Sequence, residues 1–404
     1  MTSLLIIVVV VLLGIAIWQL TKIFDLTQVG AAQNNDSEIA NDKDNNIQGY
    51  LNFAFLGFIY LITIFSFWKY GSVLLGTSAS EHGPDYDNLM VISMALIFFV
   101  QTITQFLLYY FAFKYRGRKD RVAFYFADND RLEFIWTIIP VIVLAGLILY
   151  GLYAWTNIMF IEDKDKEALY VEVYAKQFSW EVRYAGEDGV LGKANVRYID
   201  GVNTMGVDMS DPYAQDDITM NELHLPKGRK VIFKFRSQDV LHSAYMPHFR
   251  AQMNVVPGMV TEFAFTPTLT TAEMREDEGI VAKVAKINKI RSQRSADIVA
   301  KGGEPLEPYT FDYFIACNKI CGASHYNMQM KLVVDENDDF NKWLKEKQTL
   351  SAAIKESQNK AEEGEVLKAD GDAPAAPAQQ PAADSTKTAA IVPDSTKVAQ
   401  VTKK

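Results

Sequence analysis

Cysteine is nearly absent, with two residues in 404. That excludes a disulfide-framed fold. No C-x-x-C-H run occurs, so the chain carries no c-type haem attachment site of its own. Five histidines are too few for a histidine-rich catalytic domain. Basic excess is missing as well: the net charge is −9 and the isoelectric point near 5.2, which argues against nucleic acid as a partner. Long uncharged runs are lacking after residue 161, so everything that follows reads as a water-exposed domain. The 49% of hydrophobic residues is therefore unevenly spread.

The two cysteines share one stretch, Cys317-Asn318-Lys319-Ile320-Cys321-Gly322-Ala323-Ser324-His325-Tyr326-Asn327-Met328, with the pattern C-x3-C-x3-H-x2-M. Thiolate, imidazole and thioether are soft or borderline donors and favour copper over magnesium or calcium. Two thiolates can bridge two copper ions that share an electron. Each ion then needs its own imidazole, and the second must come from elsewhere. Asp239-Val240-Leu241-His242-Ser243, at the end of a strand-like run, offers one. The C-x3-C pair taken alone also fits a disulfide, a zinc half-site or inert buried thiols.

D-V-L-H-S followed by C-x3-C-G-x2-H-x2-M resembles subunit II of haem–copper cytochrome c oxidases. The resemblance implies a dinuclear copper centre, CuA, on a cupredoxin fold. Cys317 and Cys321 would bridge both ions. His242 and Met328 would complete one, His325 and the backbone carbonyl of Lys319 the other. It also implies that electrons pass from cytochrome c, or a cytochrome c domain of a larger respiratory assembly, to haems of subunit I. There oxygen is reduced to water and protons are pumped, which makes the chain part of a translocase. The rival within the family is a copper-free subunit II of a quinol oxidase, which would lack the Cys, His and Met set. Lys319 stands where the family has a Glu that also binds magnesium. An ammonium has no acceptor for a hard cation, so no side-chain magnesium ligand is expected from this chain.

Four stretches before residue 162 have no charged residue: Thr2–Thr21, Asn45–Trp68, Asn88–Phe113 and Phe134–Ile161. Each is long enough to span a bilayer as a helix. The basic cluster between Lys114 and Arg121 belongs on the cytoplasmic side. The fourth helix then runs outward and delivers the remainder to the outer, periplasmic face of a bacterial inner membrane. The first run lacks the basic start and nearby cleavage site of a signal peptide, so a retained helix is expected. Arg131-Leu132-Glu133-Phe134-Ile135-Trp136-Thr137-Ile138-Ile139-Pro140 resembles the family signature R-L-E-x-x-W-T-x-x-P. By that resemblance Glu133 marks a proton-pathway entrance. As a bare residue it equally suits the positive end of a helix. The family usually has two membrane helices, so the first two runs are extra.

From Leu169 the apolar period falls to two. Tyr170–Ala175, Lys230–Arg236, Val260–Phe265, Tyr309–Ala316 and Met328–Val334 read as strands. The fold expected is an α-helical membrane anchor of four transmembrane helices plus an all-β cupredoxin Greek-key sandwich. The expected divisions are 1–161 for the anchor, 162–350 for the sandwich, an inserted amphipathic helix near 270–308, and a disordered Ala/Pro/Lys-rich tail at 351–404. Lys176-Gln177-Phe178-Ser179-Trp180-Glu181-Val182-Arg183-Tyr184 resembles the family's aromatic electron-entry segment. It keeps one Trp at Trp180 and replaces the other by Phe178. On pattern alone it reads as an ordinary strand with an aromatic face. His224 is expected on a strand surface. His248, on the loop after His242, is expected behind the metal or at an interface, and His82 in a polar outer loop. Membrane lipid, subunit I and other oxidase subunits complete the expected partners.

Overall fold

The computed structural model describes residues 2–32, 42–71, 76–122, 124–161 and 167–369. Four helices come first: α1 (Thr2–Ala32), α2 (Asp42–Tyr70), α3 (Gly83–Lys114) and α4 (Asp130–Met159). The last three are long and apolar enough to cross a membrane, and the described part of α1 adds the apolar stretch Val9–Phe24. Their large apolar side chains face outward, as a lipid-facing or subunit-facing surface requires. Asn129 caps α4 by accepting from Leu132 N at 3.0 Å.

The first helix is fastened to α2, and α2 to α3 and the segment after it, by specific contacts. Gln19 of α1 and Gln48 of α2 exchange amide hydrogen bonds at 3.1 and 3.2 Å. Gly49 lets the Phe113 ring of α3 pack directly on the α2 backbone. At the same end, Arg116 Nε donates to Asn46 at 2.6 Å and Lys119 N donates to Asp42 at 3.0 Å. The basic cluster is therefore tied to the first turns of α2.

The domain that follows packs two five-stranded sheets face to face. One has the order β3-β2-β1-β5-β8, the other β4-β10-β9-β6-β7. In chain order the strands are β1 (Leu169–Lys176), β2 (Ser179–Tyr184), β3 (Ile218–Met220), β4 (Leu223–Pro226), β5 (Val231–Ser237), β6 (His242–Met246), β7 (Ala251–Val255), β8 (Thr261–Phe265), β9 (Tyr313–Cys317) and β10 (Gln329–Asp335). β1 with β5 and β4 with β10 pair in parallel; the other pairings are antiparallel. Val171, Val173, Phe233, Phe235, Tyr313, Ile315 and Leu332 fill the space between the sheets. This is the sandwich that the alternating pattern predicts.

Two local readings differ. The run from Tyr309 becomes strand only at Tyr313, because residues 306–309 lie along a helix instead. That helix, α6 (Glu278–Val299), holds them through Asn288 to Tyr309, Arg291 to Glu307 O, and Ser295 to Leu306 N. His242 follows a strand, β5, as expected, and also opens the next one, β6. Residues 351–369, expected to be disordered, continue a helix, α8 (Leu350–Ala369); their Ala, Lys and Glu are strong helix formers. The remainder of that tail lies outside the described residues.

Before α6 comes α5 (Thr271–Glu276), opened by a capping box between Thr270 and Glu273. Ile280 of α6 is buried and Val284 packs on the same core, while Val281 faces out. After β10 a short helix, α7 (Asn337–Lys345), seats Phe340 in the core.

The segment before α3 joins the sandwich to the helices. Ala79 N donates to His248 O at 2.8 Å, Thr268 N to Ala79 O at 2.9 Å, and Glu81 N to Thr266 O at 3.0 Å. Arg250 forks onto Asp87 of α3, both bonds at 2.8 Å, the bidentate geometry that makes such pairs strong.

A buried charge cluster braces the first sheet. Arg183 on β2 bonds Glu172 of β1 at 2.6 Å, Asp217 at 2.7 Å and Gly192 O at 2.9 Å. Arg236 of β5 reaches the other oxygen of Glu172. Arg183→Leu would leave Asp217 buried with one donor, Gly192 N. The expected loss is roughly 3–5 kcal/mol of domain stability, read as a lower denaturant midpoint for loss of sheet structure.

Candidate metal centre

Hydrogen bonding between β6 and β9 places the site. Ala244 pairs with Cys317, and Asn318 N donates to Ser243 O at 3.0 Å. His242, at the start of β6, therefore lies beside Cys317, at the end of β9. The return of the chain into β10 is fixed by Cys317 N donating to Met328 O at 2.9 Å. A 3-10 turn over His325–Asn327 closes the loop.

The sulfurs of Cys317 and Cys321 are 3.8 Å apart, far beyond the roughly 2.05 Å of a disulfide. His242 Nδ1 lies 3.7 Å from Cys317 Sγ, and His325 Nδ1 lies 3.6 Å from Cys321 Sγ. Met328 Sδ is 3.7 Å from Cys321 Sγ, and the carbonyl of Lys319 accepts from Cys317 Sγ at 3.1 Å. His242, Cys317 and Cys321 form a cluster compact enough to hold a metal ion. Both thiols and the thioether are buried, whereas the Lys319 side chain is exposed.

The donor set fits a soft metal. Two thiols, two imidazole nitrogens, a thioether and a carbonyl converge, with no carboxylate among them, and such a set selects copper or zinc over magnesium or calcium. Burial, with Cys317 beside it, pushes the Cys321 thiol up to about 11. Binding therefore has to displace that proton.

Behind the donors, His242 Nε2 bonds Asp239 Oδ1 at 2.9 Å. Burial raises the Asp239 carboxyl, but the bonds from His242, Gln177 N and Val240 N outweigh it and hold the group below the usual carboxylate range. Trp180 is buried, with its ring centroid 6.1 Å from that of His242 and its Nε1 3.4 Å from Met328 O. Phe178 packs over Gly322, whose φ is +140°. Phe178 and Trp180 are thus brought to the cluster. Glu133 is not; it stands exposed in the first turn of α4.

The other histidines lie away from the cluster. His224 stacks on Trp343 with centroids 4.0 Å apart and bonds Asp335 at 2.9 Å. His248 is buried edge-on against Phe311 and Tyr313. Burial, then Lys283 and Arg250, push its imidazole down to about 4. His82 packs edge-on against Phe263, and burial lowers it. Asp239, Gln177 and Gly322 contribute without being among the expected site residues; of the three only Asp239 carries a signal in the sequence, a carboxylate three residues before a candidate ligand.

Gly322→Ala would bring a Cβ to 2.9 Å from two Phe178 ring atoms, at a φ that L residues rarely adopt. A destabilisation of about 1–3 kcal/mol and weaker metal retention are expected, measurable by thermal unfolding and by metal content after dialysis.

The family model described as cytochrome c oxidase subunit II, transmembrane domain, matches residues 69–154. The match takes in α3 and most of α4 and leaves α1 and nearly all of α2 outside. Over 267 residues the chain is 31% identical to the alternative cytochrome c oxidase subunit 2 of Bradyrhizobium diazoefficiens, covering 66% of this chain and 81% of that protein. It is 23% identical over 292 residues to cytochrome c oxidase subunit 2 of Alkalihalophilus pseudofirmus, covering 69% of this chain and 64% of that one. The crystal structure of the periplasmic domain of cytochrome oxidase subunit II from Bradyrhizobium japonicum aligns at a TM-score of 0.27, with 17% identity, over 48% of this chain and 99% of that one. That score is too low to bear on the fold. With a 31% identical relative matched over four-fifths of its length, and a helix pair that fits the transmembrane model, the chain belongs to the cytochrome c oxidase subunit 2 family.

Proposed function

We propose that this chain is the electron-accepting subunit of a respiratory terminal oxidase and that its cluster holds a dinuclear copper centre. The observation that carries the reading is the pair of sulfurs 3.8 Å apart, each with a histidine nitrogen within 3.7 Å. Cys317, Cys321, His242, His325, Met328 and the Lys319 carbonyl would hold the two ions. Copper bound there would supply reversible one-electron chemistry.

The rest of the task falls to residues of this chain. Two sheets hold the loop ends rigidly, so the donors move little when charge changes. Asp239 fixes the ring of His242 and keeps its Nδ1 turned to the sulfur. Burial of Cys317, Cys321 and Met328 keeps water from the sulfurs. Trp180 and Phe178 form the aromatic approach from the surface of the domain, where an electron from a cytochrome c would enter. The exposed Lys319 offers no oxygen to magnesium beyond its carbonyl. Subunit I would receive the electron for oxygen reduction, and proton translocation would belong to that assembly, with Glu133 as a candidate entrance.

The same reading sets the topology. With Lys114–Arg121 on the cytoplasmic side, α3 runs inward and α4 outward, and the sandwich stands on the outer face of the bacterial inner membrane. A reporter fused after Lys119 should be active only inside, and one fused after Ile161 only outside. The reverse pattern would defeat the assignment.

For the metal, the purified chain should contain two copper ions and give the multi-line electron paramagnetic resonance spectrum of an electron shared between them. Cys317→Ser should abolish the shared-electron signal, since one thiolate cannot bridge as two do. Met328→Leu should keep both ions and shift the reduction potential, because a thioether tunes rather than holds copper. An unchanged spectrum in Cys317→Ser would refute the centre.

A further inference from the structure

The turn between β1 and β2 touches the metal centre from two sides without supplying a ligand. Gln177 N donates to Asp239 Oδ2 at 2.7 Å, and the other oxygen of that carboxylate accepts from His242. The side-chain amide of the same residue donates to the carbonyl of Cys321. Phe178 then lies against Gly322, and a Cβ on that glycine would also meet Gln177 Nε2 at 3.0 Å. The turn itself is anchored. Lys176 pairs with Glu181 across the hairpin, and Thr204 Oγ1 donates to Glu181 at 2.7 Å.

We propose that Gln177 is a positioning residue that couples the two metal-binding loops of this chain. One residue reaches both the loop that carries His242 and the loop that carries Cys321. Its N–H fixes Asp239 and, through it, the orientation of the His242 ring. Its amide fixes the carbonyl of Cys321, and so the peptide plane from which that side chain projects. Partners behind a ligand commonly set metal affinity by such orientation. Gln177 is itself exposed, so altering its side chain opens no cavity in the core. The bond to Cys321 needs a donor. A glutamate of the same size would set a carboxylate against the carbonyl, acceptor facing acceptor.

The proposal rests on the copper reading, and the test separates the two. The full-length chain in its native membrane assembly is compared as wild type, Gln177→Glu and Gln177→Leu. Copper per chain, the rate of copper loss to a chelator, and the copper hyperfine pattern are measured. Amide hydrogen exchange across residues 318–328 is measured in the metal-free form. Both variants should still take up copper, lose it about 10-fold faster or more, show an altered hyperfine pattern, and exchange faster in that loop. Gln177→Glu behaving as wild type would overturn the proposal, since a same-size side chain without the donor would then suffice. Loop exchange unchanged in both variants would overturn it equally. A wild-type chain that binds no copper would instead defeat the copper reading, while the exchange measurement would still decide whether Gln177 couples the loops.

Discussion

The antiparallel pairing of β6 with β9 is the constraint on which the rest of the site depends. Backbone hydrogen bonds set that register, with Ala244 opposite Cys317. A shift by one residue would turn every side chain of β9 to the opposite face. Cys317 would leave the site, and Tyr313 and Ile315 would leave the core. The register is therefore held by the whole apolar interior, not by the metal donors alone. A rigid sandwich would suit the proposed copper centre, which would change charge without changing shape.

The polar contacts around the donors are arranged in layers of decreasing burial. The sulfurs and His242 are enclosed. Behind His242 stands Asp239, which is exposed on one side and collects several N–H donors on the other. Outside that lies the β1–β2 turn, whose residues are exposed or half-buried. Hydrogen bonds thus carry order outward from the buried donors to a surface turn. The same domain is tied to the membrane helices by backbone bonds at Ala79 and by the Arg250–Asp87 fork. The position of the sandwich relative to these helices is then not left to a loose linker.

Much of this was legible in the residues. Charge-free runs of about 20 residues are long enough to cross a bilayer as helices, and four of them in 160 residues are more than a soluble core uses. The alternation in Tyr170–Ala175 and Lys230–Arg236 can bury one face only as strand. The tight spacing C-x3-C-x3-H-x2-M confines four donors to one loop. Less legible was the stretch from Tyr309, strand-like in composition yet held beside α6 by Asn288 and Arg291. Local propensity could not foresee a neighbour that satisfies the backbone with side chains. The helix from Leu350 was hidden by reading the tail's composition as one block, when its Ala-, Lys- and Glu-rich first part differs from its Pro-rich remainder.

The sequence by itself determined the kinds of donor, their order along the chain, the membrane helices and the alternating strands. These are matters of composition and short-range spacing, and neighbouring residues fix them. Tertiary structure alone decided that His242 stands 3.7 Å from a sulfur 75 residues away, that Asp239 backs it, and that Gln177 reaches a carbonyl 144 residues distant. Such contacts arise from strand register and the packing of two sheets. They depend on the whole core closing at once, and no local window of residues contains that information.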